Sequence, residues 1–246
     1  MTASDATDML PALPTRLVGV GLGPGDPELV TLRGVRAIRA ADVVFVPTRR
    51  SGEPSYALAI ARDLIDEARQ RVVTVPFPEE PGAEAWLGAS RTIVEEMAVG
   101  GVGAFLVEGD PTLFSSFGHV AEAVASLAPH IDVEIVPGVS SVTAAAAAAG
   151  ISLADYAERV AILPATYRVA DLEATLRTFE CVILLKVARV FREVFDLLDR
   201  LSRLDDATFV RRVGRPDQEI VFDVRALLDD PPRDYFSLLI VRRRAP

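Results

Sequence analysis

Glu108 and Asp110 share one short loop, Glu108-Gly109-Asp110-Pro111-Thr112-Leu113-Phe114-Ser115-Ser116-Phe117, directly after the apolar run Val102 to Val107. A buried site cannot leave a cation unpaired, so acids there suit a ligand carrying a sulfonium or an α-amine. A second stretch, Gly19-Val20-Gly21-Leu22-Gly23-Pro24-Gly25-Asp26-Pro27, also follows an apolar run, and its glycines let a ligand approach the main chain. The third, Val136-Pro137-Gly138-Val139-Ser140-Ser141, ends a strand and opens a helix, where amides and hydroxyls can bond a carboxylate or a ring. Each has a plainer reading: a structural turn for the glycines, helix capping for Asp110 and for the serines.

Lys186 is the chain's one lysine and ends an apolar strand, where it can meet a substrate carboxylate, tune proton transfer, or simply reach solvent. Arginines cluster at Arg49 and Arg50, at Arg211, Arg212 and Arg215, and at Arg242 to Arg244, and guanidinium groups grip carboxylates in bidentate fashion. A polycarboxylate ligand is therefore compatible with an acidic chain. His119 falls on the helix after the acidic loop and His130 in a polar turn, neither with a partner near in sequence. Cys181 begins a buried strand and reads as a small apolar filler.

A nicotinamide fold is the obvious rival for the glycine stretch, and it fails. Counting G-x-G-x-x-G from Gly19 ends on Pro24, and from Gly21 on Asp26. The acid that such folds carry at the end of the second strand is also missing, since Val46 is followed by Pro47 and Thr48.

These loops need strands to carry them. An apolar strand from Arg16 through Leu17, Val18 and Val20 leads into the glycine stretch, then a helix over Thr31 to Ala41 and strands at Val43 to Val46 and Arg71 to Val75. Val102 to Val107 reads as buried on both faces and Val133 to Val136 as another strand, with helices between, which gives a parallel α/β sheet. After Ser140-Ser141 a helix runs through the alanines Ala144 to Ala149. The second half is strand-rich: Val160 to Leu163, Val182 to Leu185, Thr208 to Val210, Ile220 to Phe222 and Tyr235 to Val241. Its helices, Val169 to Thr178 and Val190 to Leu201, are too few for every strand, so a mixed sheet is expected. The expected organisation is a disordered leader over 1–14, an α/β domain over 15–136 and a mixed-sheet α/β domain over 137–246.

Composition narrows the function. The net charge of -9 argues against nucleic acid as a partner, since neutralising phosphates takes a basic face. No run of about 18 uncharged apolar residues suggests a membrane span, and Asp5 and Asp8 sit where a signal sequence would be basic, so a cytoplasmic protein is expected. One cysteine forms no internal disulfide, and no Cys/His cluster has zinc spacing, so no metal is expected.

Taken in order and at this spacing, with Leu29, Thr31-Leu32 and Ala41-Asp42-Val43-Val44, the three stretches resemble the tetrapyrrole methylase superfamily from Leu17 to Arg243. The resemblance implies two α/β domains with S-adenosylmethionine in a cleft between them, in a homodimer. It places that cofactor near Pro24, Glu108, Gly109, Asp110, Leu113, Ser140 and Ser141, completed by backbone near Lys186 and Gly214. Within the superfamily the likeness is to enzymes that methylate C-20 of precorrin-2 or cobalt-factor II, tetrapyrrole polycarboxylates of cobalamin biosynthesis. It is carried by Phe114-Ser115-Ser116-Phe117, Ala161 to Thr166, Leu184-Leu185-Lys186-Val187 and Asp234 to Val241. Methylation of another tetrapyrrole carbon, or a non-catalytic nucleoside-binding module, are the alternatives. Uroporphyrinogen III methylases carry an acid where this chain has Pro47, and two positions depart from the C-20 pattern: Phe114 for a frequent tyrosine and Ala188 for a frequent glycine.

Overall fold

Both faces of the first strands are apolar, and a strand of that kind has to be covered on both sides. The computed structural model describes residues 14–48, 54–77, 82–165 and 169–243; residues 1–13 of the expected leader, Arg49, Arg50, Thr166 and Arg244 lie outside them. The first half runs β1 (Thr15–Gly21), α1 (Leu32–Ala40), β2 (Val43–Thr48), α2 (Tyr56–Ala61), β3 (Arg71–Pro76), α3 (Ala83–Glu96), β4 (Val102–Val107), α4 (Phe117–Leu127) and β5 (Ile131–Val136). The strands form one parallel sheet in the order β3-β2-β4-β1-β5. Leu17, Phe45 and Phe105 point to one face, against Ile93 of α3 and Phe117, Val120 and Val124 of α4. Val18, Val20, Val44 and Leu106 point to the other, against Ile38 of α1 and Ile60 of α2. Thr31 is the cap of α1 rather than its first residue, its hydroxyl accepting the Gly34 N–H at 3.1 Å.

The second half runs α5 (Ser141–Ala149), β6 (Val160–Pro164), α6 (Val169–Thr178), β7 (Cys181–Leu185), α7 (Phe191–Arg200), β8 (Ala207–Arg211), β9 (Glu219–Val221) and β10 (Ser237–Arg242). Its sheet has the order β6-β7-β10-β8-β9; β6 and β7 are parallel and the remaining pairs antiparallel. Phe191, Val194, Phe195 and Leu198 recur at helical spacing on α7 and pack on Leu184, Phe209, Leu239 and Val241 of that sheet. The alanine run of α5 ends at Gly150, whose left-handed φ of 66° turns its N–H back onto the Ala146 and Ala147 carbonyls. Arginines close the other end of α6: Arg203 donates to the Leu176 carbonyl at 2.6 Å, Arg243 to that of Arg177 at 3.4 Å, and Arg159 to that of Thr178.

The chain divides into two compact units, one comprising the chain up to Gly23 with Pro27–Val139, the other Pro24–Asp26 with the chain from Ser140. This differs from the division expected at residue 136. The loop after β5 stays with the first unit because Gly138 rests on Gly21 and Gly109, and Pro24–Asp26 joins the second because Gly25 lies against Val213 and Arg215. The last strand starts at Ser237, later than the expected Tyr235, because Asp234 accepts the Phe236 N–H on its side chain at 2.9 Å and withdraws it from the ladder. Among the described residues, no helix is long and apolar enough to cross a membrane and no group of three His, Cys, Asp or Glu side chains could hold a metal ion.

Candidate active site

In open α/β sheets ligands gather outside the carboxyl ends of the strands, where neighbouring connections leave in opposite directions. β1 lies between β4 and β5, its own connection runs past β4 to β2, and the connection from β4 runs past β1 to β5. The loops after these three strands are the three stretches singled out by sequence. They are locked together by main chain. A Cβ on Gly138 would lie 2.2 Å from the Gly109 carbonyl oxygen and 2.8 Å from the Gly21 Cα, and one on Gly21 would lie 2.5 Å from the Gly138 nitrogen. Gly23 and Gly109 exchange N–H···O bonds of 3.2 and 2.8 Å, each with a φ near +75° that a side chain would strain (75° and 73°). Gly19 has a separate reason, since a Cβ there would enter the Phe117 ring.

Asp110 does not cap the following helix. That helix begins seven positions later at Phe117, where the Ser115 hydroxyl accepts the Phe117 N–H at 3.1 Å. Asp110 instead accepts the Thr112 N–H at 2.8 Å and the Thr112 hydroxyl on one oxygen and the Gly138 N–H at 2.9 Å on the other. Partial burial pushes its pKa up, but the bonds from the Thr112 side chain, the Thr112 main chain and Gly138 outweigh it and hold the group below the usual carboxylate value. Asp110 is therefore an anion at neutral pH, and among the described residues no cationic side chain pairs with it. The Leu113 N–H closes the turn onto the Asp110 carbonyl at 3.3 Å, and Glu108 and Gly109 complete the same loop. Phe114 is held at a φ of 51° with half its surface exposed (51%), so its ring faces outward from a strained position.

Ser140 opens α5 and its hydroxyl is spent on the cap, accepting the Val142 N–H at 3.2 Å. Ser141 is the first helical residue, half-buried, and its hydroxyl makes no hydrogen bond to the described residues. The capping reading thus accounts for one of the two serines.

The remaining predicted positions gather at one end of the second unit's sheet. Lys186 follows β7, Arg212 to Arg215 follow β8, and Tyr235-Phe236 precede β10, which lies between them. The Lys186 N–H donates to the Ser237 carbonyl and the Arg212 N–H to the Phe236 carbonyl, each at 2.9 Å. Gly214 has a φ of +78°, with Asp26 so near that a Cβ would lie 3.0 Å from its nitrogen, and Gly25, the residue after Pro24, is also within 4 Å. Arg211 pairs with Glu219 at 2.8 Å and Arg212 is held between Asp217 and Asp234, so these two guanidiniums are tied up within the chain. Sequence reasoning missed the aromatic members: Tyr235 and Phe236 stand perpendicular, centroids 5.4 Å apart, with Lys186 over the first ring and Arg215 over the second at 5.1 and 4.5 Å. Their place just ahead of the apolar run Leu238 to Val241 concealed them as strand residues. Lys186 holds a left-handed backbone (φ 59°, ψ 34°), which costs a lysine about 1 kcal/mol.

Comparison with known proteins identifies the family. Residues 16–228 match the family described as Tetrapyrrole (Corrin/Porphyrin) Methylases. The chain is 30% identical over 236 residues to a precorrin-2 C(20)-methyltransferase of Sinorhizobium sp, covering 92% of this chain and 94% of that one. It is 30% identical over 233 residues to the cobalt-precorrin-2 C(20)-methyltransferase of Salmonella typhimurium, covering 93% and 97%. Among solved structures it is similar, with a TM-score of 0.61 and 26% identity over 92% of this chain and 97% of that one, to a uroporphyrin-III C-methyl transferase from Thermus thermophilus complexed with S-adenyl homocysteine. With its interlocked loops at the carboxyl ends of β4, β1 and β5 and a match that runs through both units, the chain belongs to the tetrapyrrole (corrin/porphyrin) methylases.

Proposed function

We propose that the chain transfers the methyl group of S-adenosylmethionine to C-20 of precorrin-2 or cobalt-factor II in cobalamin biosynthesis, giving precorrin-3A or its cobalt equivalent. What carries this reading is likeness over more than nine-tenths of the chain to relatives named for C20 methylation of the metal-free and the cobalt substrate. S-adenosylmethionine supplies an electrophilic methyl on a sulfonium, which leaves as a neutral thioether. The residues present fit such a group. Gly21, Gly109 and Gly138 present main chain with no side chain in the way, Asp110 keeps a negative charge that no protein cation compensates among the described residues, and Ser141 offers an uncommitted hydroxyl. Pro24, Glu108, Leu113, Ser140, Gly214 and the backbone at Lys186 complete the set that would hold it. Orienting two reactants in this way can be worth about 7 to 11 kcal/mol of barrier. The reading includes a cytoplasmic location and a homodimer; sedimentation of the purified chain at twice its monomer mass tests the dimer.

The deciding experiment is anaerobic incubation with S-adenosylmethionine and enzymatically made precorrin-2, with and without cobalt, followed by mass spectrometry and carbon-13 location of the new methyl. One methyl at C-20 establishes the reaction, and the preferred substrate tells which form is used. Methylation at another carbon keeps the chemistry and overturns the position. Bound cofactor with no methylation overturns the reading in favour of a binding module.

A further inference from the structure

Lys186 is the one charged side chain at its end of the second sheet whose partner is an aromatic ring and nothing else among the described residues: no carboxylate pairs with it, whereas Arg211 and Arg212 are both paired. It is half-buried, and no anion pairs with it among the described residues. The ring beneath it is fixed. Tyr235 stands at 90° to Phe236, and the turn that carries both is stapled by Asp234, which accepts the Phe236 N–H at 2.9 Å and the Arg212 guanidinium on its side chain and the Ser237 hydroxyl at 2.8 Å on its carbonyl. The lysine's own main chain is set by its left-handed φ of 59° and its 2.9 Å bond to the Ser237 carbonyl. An ammonium carries three N–H donors, and a ring face engages only part of them, leaving the rest for an acceptor.

We propose that Lys186 is a receptor for one carboxylate of the polycarboxylate substrate, and that Tyr235 is its positioning residue, acting through the face of its ring rather than its phenol. Lys186 then serves as a fixed charge and transfers no proton. The proposal rests on the tetrapyrrole reading above.

The test uses uroporphyrin III, a stable tetrapyrrole octacarboxylate, as the probe, with its affinity followed by fluorescence and its methyl-accepting counterpart precorrin-2 followed by kinetics. Lys186→Met and Tyr235→Leu are each expected to weaken uroporphyrin binding about tenfold and raise the KM for precorrin-2 by a similar factor. The kcat, its pH profile and the affinity for S-adenosylhomocysteine are expected to change less than about twofold. The double variant is expected to be no weaker than either single one, with Lys186→Arg and Tyr235→Phe recovering most of the loss. Binding unaffected by Lys186→Met, additive losses in the double variant, or a shifted kcat pH profile overturns the proposal. A wild-type chain that shows this binding pattern but methylates no tetrapyrrole sinks the enzymatic reading and leaves the receptor standing. A chain that methylates C-20 with Lys186→Met binding as wild type does the reverse.

Discussion

The Asp110 carboxylate accepts the Gly138 N–H at 2.9 Å, joining the loop after β4 to the loop after β5 although β1 separates those strands. No sheet ladder connects the two loops, so one side chain and the glycine contacts beneath it do so. The same carboxylate closes its own loop through Thr112, and its charge is left for whatever binds there.

Asp110→Asn tests this. An amide has one acceptor oxygen, so either Thr112 or Gly138 would face an NH2 group, and the loss is expected to be about 1 kcal/mol of stability at neutral pH. The folded pKa of Asp110 is depressed, so its contribution is present above the unfolded carboxylate value and fades as pH falls through the lower folded one. The gap between wild type and variant in thermal unfolding should therefore close below about pH 4, the ordinary carboxylate range. Calorimetry should show S-adenosylhomocysteine binding weakened about tenfold, as expected for a lost charged partner worth about 1.4 kcal/mol or more. A gap that stays constant from pH 7 to pH 3 would place the effect elsewhere.

Glycines of opposite character separate contact from propensity. Gly138→Ala puts a methyl 2.2 Å from the Gly109 oxygen and is expected to lower stability by about 1 to 3 kcal/mol and to disturb cofactor binding. Gly88, in the middle of α3 with nothing within 4 Å of a Cβ, should behave in the opposite sense: Gly88→Ala is expected to stabilise by about 0.5 to 1 kcal/mol. Urea titrations of both variants provide the check, and two shifts of the same sign would contradict the geometry.

Acid stability has a second contributor in Glu180. The Arg159 N–H at 2.9 Å and then its guanidinium at 3.3 Å hold the Glu180 carboxyl down to about 2. Its stabilisation is thus present above the ordinary glutamate value near 4.5 and lost as pH falls toward 2. A carbon-13 carboxyl titration should give a midpoint close to 2, and Glu180→Gln should flatten the acid limb of the stability curve. A midpoint above 4 would mean that the Arg159 bonds are absent in solution.

Cys181 lies fully buried at the start of β7, and burial pushes its thiol up to about 11. The native chain should not react with a disulfide reagent at pH 8, because the nucleophile is the thiolate. Modification should appear only in denaturant, in step with loss of the second sheet. Rapid labelling of the native chain would show that β7 opens locally.

Much of the fold was legible because it is written in local pattern. Val102 to Val107 forms the strand its unbroken apolar run announces, Val169–Thr178 forms the helix its periodicity announces, and Thr31 and Ser140 mark helix starts. The loops at the strand ends were equally visible as places. Why Gly21 and Gly138 must be glycine was not, because the reason is contact between loops separated by more than a hundred residues, set by the order β4-β1-β5. Asp110 was ambiguous for the same reason, since its partner Gly138 is distant in sequence. Tyr235 was hidden within a strand pattern until Asp234 was seen to turn the chain aside.

Because the loop after β1, the loop after β4 and the loop after β5 touch through bare main chain, none can be replaced alone. A loop grafted from a relative would bring its own backbone path into a fit too close for even one methyl group. Variation among such proteins should therefore enter through the outward side chains of these loops, such as Phe114, while the three backbones are inherited and exchanged together as a single part.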